Sequence, residues 1–206
     1  VANNNQIYKF SNAGGFKSLT RYYDMLAGNT VWNPWEPDGA FDSLATVTPS
    51  GSTGTITFAG IPNTYKHLQI RAIGRSDYAG SNVQLAMRFN SDSASNYSTH
   101  NLIGVGSGSG TATGTANTTY IEGGQMAGAT LSASIYGVTI IDVLDYQDTN
   151  KFKTSRSLSG FDANGSGQVL LSSGSWRSTV AVNSITLLAG AGNWTSVSQF
   201  TLYGVK

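Results

Sequence analysis

The sequence predicts an all-β protein: an antiparallel β-sandwich of jelly-roll type over residues 41–206, preceded by an extended N-terminal arm with one short helix over residues 1–40. Three observations predict it. The 206 residues include 25 Gly, only 11% are charged, and Glu occurs only at Glu36 and Glu122. An average soluble domain is about 25% charged, and Gly, Ser, Thr and Asn serve turns and pleated surfaces where Glu- and Lys-rich helices are missing. Short runs after Phe41 alternate apolar and polar residues with a period of two, the mark of a half-buried strand. Clusters of Gly, Asn, Asp and Ser separate these runs, with no helical pattern between them.

Residues 1–15 are polar with Ile7, Tyr8 and Phe10 embedded, and read as an extended arm. Residues 16–27 place Phe16, Leu19, Tyr23 and Leu26 on one face of a short helix, and Gly28-Asn29 ends it. Thr30 to Gly39 contains Pro34 and Pro37 and cannot continue a helix. Expected strands then cover 42–48, 54–59, 66–74, 83–90, 97–103, 119–122, 133–145, 152–161, 167–177, 183–189 and 197–205. Leu68, Ile70 and Ala72 share a face, as do Leu85, Met87 and Phe89, Ile185 and Leu187, and Phe200 and Leu202. Turns fall at 49–54, 77–82 and 162–167, the last through Asn164-Gly165, a strong hairpin signal. The low-complexity stretch Gly104 to Asn117 reads as a long exposed loop. Strands joined by short turns, without helices, give a sandwich.

Composition excludes several function classes. The formal net charge is +1, and the cations are dispersed apart from Lys151, Lys153 and Arg156. Nucleic-acid binding needs a clustered basic footprint. The absence of Cys excludes disulfides, thiol catalysis and Cys-based zinc sites. No signal-peptide pattern opens the sequence and no apolar run approaches about 18 residues, so neither secretion nor a membrane span is expected. His67 and His100 stand in no triad-like setting, and no G-x-S-x-G elbow occurs. Asp142, Asp145 and Asp148 are the densest carboxylates. On a regular strand Asp145 would face away from the other two, which argues against a convergent acid pair. A Ca²⁺ site is the alternative if the chain curls back after Asp145, but a solvated strand end is the expectation. The Gly106–Gly110 run lacks the Lys-Ser/Thr of a phosphate loop. The expectation is a non-enzyme without cofactor or metal.

Two aromatic sets remain. Tyr8, Phe10, Tyr22, Tyr23, Trp32 and Trp35 crowd the lead segment. Aromatic side chains dominate interface energetics, so these are the expected docking residues. Tyr78, Tyr97, Tyr146, Trp176 and Trp194 lie at or near expected turns, where rings stack on sugars, so they form a candidate glycan-contact set.

Tyr22-Tyr23-Asp24-Met25-Leu26-Ala27-Gly28-Asn29, Phe41 to Val47, Ile56-Thr57-Phe58, Ile61 to Arg71 and the closing Phe200-Thr201-Leu202-Tyr203-Gly204 together resemble small virion structural proteins of tailed phages, particularly phages of cyanobacteria. The resemblance touches about half of the chain and is concentrated before residue 76. It implies a capsid decoration or cement protein with a docking arm, partnered by the major capsid protein or other virion proteins. It implies a homotrimer in the virion, assembled in the host cytoplasm. The alternative it leaves open is a tail or head fibre or knob that binds a host receptor or surface glycan. It supplies no catalytic residues.

Overall fold

A computed structural model describes residues 40–206, which form one compact unit. Its strands are β1 (Phe41–Val47), β2 (Thr55–Phe58), β3 (His67–Gly74), β4 (Asn82–Phe89), β5 (Tyr97–Val105), β6 (Thr111–Thr118), β7 (Ile121–Ala127), β8 (Gly137–Leu144), β9 (Lys153–Asp162), β10 (Gly167–Trp176), β11 (Ile185–Ala189) and β12 (Gln199–Val205). The alternating runs predicted strands at nearly these positions, and all pairings between them are antiparallel. The expected arm and helix lie outside the described residues.

The strands form two packed sheets, ordered β1-β12-β3-β8-β9-β10-β5-β6 and β2-β11-β4-β7. The first four strands of the large sheet and the four of the small sheet stand in jelly-roll order, and β7 also packs on β9 and β10. The chain crosses from one sheet to the other at every connection except β5–β6, β8–β9 and β9–β10. Two hairpins, β5–β6 and β9–β10, are inserted between jelly-roll strands, and both extend the large sheet beyond β8. The body closes on itself, because Val205 pairs with Phe41 and the Lys206 N–H donates to the Ala40 carbonyl at 3.2 Å.

The alternation produces the core. Leu68, Ile70, Ile141, Val143, Phe200 and Leu202 of the large sheet meet Leu85, Met87, Phe89, Ile121, Ile185 and Leu187 of the small one. Each such side chain contributes roughly 1.5–3 kcal/mol when fully buried. Under the insertion the layers approach more closely. A Cβ on Gly174 would fall 2.2 Å from Ile121 Cγ2, and one on Gly124 would fall 2.8 Å from Ser159 Cβ. The inner faces of β9 and β10 therefore carry small residues, among them Ser155, Ser157, Ser159 and Ser172. A bulge in β7, at Gly123 opposite Leu85 and Ala86, interrupts its ladder with β4. Side chains of the large sheet satisfy the backbone around it. Thr139 Oγ1 donates to the Gly123 carbonyl at 2.9 Å, Ser172 Oγ donates to the Glu122 carbonyl at 2.8 Å, and Ser159 Oγ accepts from Gln125 N–H at 3.1 Å.

Three sequence expectations are corrected. The stretch expected as a long loop, 104–117, is a hairpin: β5 runs to Val105 and β6 pairs back along it from Ile103↔Thr111 to Tyr97↔Thr118. Its Thr, Ala and Gly residues are exposed on both faces, so no apolar alternation could announce it. The short strand expected at 119–122 is instead β7 and passes through Gly123 and Gly124, which read as a turn in sequence. The strand expected from 133 begins only at Gly137, because Arg75 draws the preceding segment into a loop.

Candidate functional site

Tyr8, Phe10, Tyr22, Tyr23, Trp32 and Trp35 lie outside the described residues, and the structure speaks only to the other candidates. Four of the five glycan candidates are core residues. Tyr97, Tyr146 and Trp194 are completely buried and Trp176 nearly so; only Tyr78 is exposed. Turn-adjacent aromatics here seal the ends of the sandwich. Tyr97 and Trp176 stack with centroids 6.2 Å apart, and Trp194 tilts against Phe200 at 5.2 Å. Trp176 Nε1 donates to Asp92 Oδ2 at 2.7 Å, and Tyr97 Oη donates to the Asp92 carbonyl at 3.0 Å. Hydrogen bonds from Asn96 and Trp176 hold the Asp92 carboxyl below its ordinary pKa. Burial pushes the Tyr97 phenol up to about 12.

The carboxylate group separates into two structural contacts. Asp142 projects from the outer face of β8, accepts from Gln69 Nε2 at 2.8 Å and pairs with Arg156 at 3.1 Å. The strand ends at Leu144, and Asp145 turns the chain with φ 47°. That turn defeats the parity argument made for a regular strand. Asp145 and Asp148 come together, and Lys151 binds both, at 2.5 and 3.3 Å, while Lys66 reaches Asp145 at 2.9 Å. Hydrogen bonds from Lys151 and then Lys66 draw the Asp145 pKa down to about 2. An ammonium stands where the calcium alternative would put a metal. Among the described residues no group of three or more His, Asp and Glu could hold an ion. His67 Nδ1 accepts from the Asp145 backbone N–H at 3.0 Å, and the His100 ring lies across Gly114 on the neighbouring strand.

Two cations to which the sequence reading assigned no structural role organise the ends of the body. Arg75 is 7% exposed and donates to the carbonyls of Ser132, Ile135, Ala129 and Leu131 at 2.9, 3.0, 3.2 and 2.7 Å. Lys153 is fully buried and donates to the carbonyls of Asp148, Lys151 and Thr179. Burial lowers its pKa. Lys151, Lys153 and Arg156, the one cationic group seen in sequence, thus point to three different structural contacts and form no basic patch.

The feature with the chemistry of an interaction site is the outer face of the large sheet where the inserted hairpins extend it. Strand register aligns Ile140, Leu158, Leu171 and Leu102 in a row across β8, β9, β10 and β5. All four are exposed, Leu158 by 56%. Two residues further along each strand, Val138, Gly160, Val169 and Gly104 form a second row. Leucine side chains make the first row a ridge. Glycines at two of the four positions make the second a groove, a depression of about 550 Å³ that ends at Asp162 and Gly167. On the other side of the ridge runs a polar row, Asp142, Arg156, Ser173 and His100. Alternation in β8–β10 announced strands with two unlike faces, but not that the solvent face would carry leucines too. No family model matches the chain, and no curated protein matches it.

Proposed function

We propose that the chain is a non-enzymatic structural protein of a tailed-phage virion, a capsid decoration or cement protein that docks through its N-terminal segment. The observation that carries this reading is the use the jelly-roll body makes of its polar groups. Asp77, Asp92, Asp142, Asp145 and His67 are each held in a contact that fixes a turn or a strand. That is the organisation of a scaffold. The residue resemblance of the lead and first strands supports the virion setting. The fibre or knob alternative is weakened at its glycan set, of which only Tyr78 reaches the surface.

The test uses the full chain and particles assembled without it. Losing a buried interface Trp typically costs about 2 kcal/mol or more. Trp32→Ala combined with Trp35→Ala should therefore bind such particles at least about thirty-fold more weakly than the unchanged protein, while Thr113→Ala on exposed β6 should bind equally well. Equal binding of all three proteins would remove the docking role from the lead. A virion reconstruction that places the protein on the tail would favour the fibre reading.

A further inference from the structure

We propose that the outer face of the large sheet is a contact between two copies of this chain, related by a two-fold axis lying in the contact plane and running across the strands. An isologous contact requires a self-complementary surface, and the ridge and groove provide one. They are parallel rows two residues apart, about 6.7 Å along the strands. A two-fold axis midway between them lays the ridge of each copy into the groove of the other. The register is strand upon the same strand, so at β9 and β5 Leu158 of one copy meets Gly160 of the other and Leu102 meets Gly104, while at β8 and β10 Ile140 meets the exposed Val138 and Leu171 meets the exposed Val169 in apolar side-chain contacts. The same operation carries Arg156, two residues before Leu158, onto Asp162, two residues after Gly160. That pair brings opposite charges together across the contact.

A second copy fits better than other occupants. The face has no aromatic ring in either row, which a sugar would need, and no clustered cations for nucleic acid. Every copy exposes this face, and a face of this kind is an aggregation hazard unless a closed contact covers it; a second copy is always present in equal amount. Strand β3 continues the two rows with Arg71 and the exposed Ile73, so five strands from β3 to β5 at about 4.8 Å spacing, over rows spanning about 20 Å, give a footprint of roughly 500 Å² per copy. The total of about 1,000 Å² is at the lower limit for a specific interface, so a micromolar dimer is expected. The inference does not depend on the virion reading, and it favours two-fold closure over the trimer that the resemblance implied.

The test is the mass of the full-length protein by sedimentation equilibrium from about 1 to 100 µM, the range in which an interface of this size dissociates. Nothing lies within 4 Å of a Cβ added to Gly104, so Gly104→Leu fills the groove without an internal clash. It should raise the dimer dissociation constant at least tenfold while the melting temperature holds. Asp162→Arg should weaken the dimer similarly, and Arg156→Glu added to it should restore most of the loss. A monomer at about 100 µM, a trimer, or a dimer indifferent to Gly104→Leu and lacking the charge rescue would each overturn the proposal. The particle-binding assay reads the lead and not this face, so the two proposals fail separately.

Discussion

Arg75 and Lys153 each hold a loop by offering one cation to several carbonyls, four for Arg75 and three for Lys153. A planar guanidinium matches several carbonyls at once, whereas a shorter or neutral side chain cannot. Arg75→Met should therefore cost about 2–4 kcal/mol in urea unfolding, by freeing the 128–136 loop. A loss under about 0.5 kcal/mol, the range of ordinary surface substitutions, would show the carbonyls to be satisfied by water instead. The titrating groups set both ends of the pH range. Asp145 is depressed to about 2 in the folded chain, against about 3.9 unfolded. Its contribution is complete above that unfolded value and is lost as pH falls toward about 2. Tyr97 is raised to about 12, against about 10 unfolded. The fold is favoured fully below pH ~10 and loses that contribution as pH rises through the folded value. Burial raises Tyr146 and Tyr65 as well, so alkaline unfolding should set in between those limits. Tyr97→Phe should flatten the decline, and an unchanged alkaline slope in that variant would count against the assignment.

Elements with two unlike faces were legible in sequence, and those without them were not. Leu68–Ile70, Leu85–Met87–Phe89 and Phe200–Leu202 alternate because one face is in the core, so their strands were readable. The Asn164-Gly165 turn was readable because it needs positive φ at both residues, and both have it, 62° and 85°. β6 is exposed on both faces and held by its ladder to β5 and by Arg177, which donates to Asn117 Oδ1 at 2.8 Å, and neither leaves a trace in hydropathy. β7 hides behind Gly123-Gly124, whose reason is tertiary: Ile141 of β8 lies too close to Gly123, and Ser159 of the inserted hairpin too close to Gly124, for side chains. The candidate site was the least legible. The glycan set failed because a Trp or Tyr beside a turn caps a sandwich end as readily as it faces solvent. The ridge and groove exist only after register aligns four strands. Gly174→Val tests the close approach. It would drive a branched side chain into Ile121 and should destabilise the body by about 1–3 kcal/mol as overpacking, whereas Gly104→Val, in open space, should leave stability nearly unchanged. Equal effects in thermal melts would contradict the layer spacing.

At the scale of the whole molecule, eight strands make the jelly roll and four make an annex, three of which carry the apolar face together with β8. The annex strands β9, β10, β5 and β6 are consecutive in the sheet but come from two separate stretches of chain. The annex is therefore tied into the frame at both insertions and across the β8–β9 ladder, and the β10–β5 ladder joins its two hairpins. One closing contact of this frame reaches further than stability. Ala40 and Lys206 are joined by a backbone hydrogen bond at 3.2 Å, so the ends of the body lie one hydrogen bond apart and its path through space is nearly a loop. A linker of a few residues could join them, and the chain could be reopened at the exposed Asn164-Gly165 turn to give a circular permutant of residues 40–206. All twelve strands would keep their neighbours, because no pairing depends on where the chain is cut. The lead, grafted onto the new terminus, would then leave from the far end of β9 and β10, beside Asp162 and the groove. Where a partner is held relative to the body would become a choice of cut site, independent of the fold.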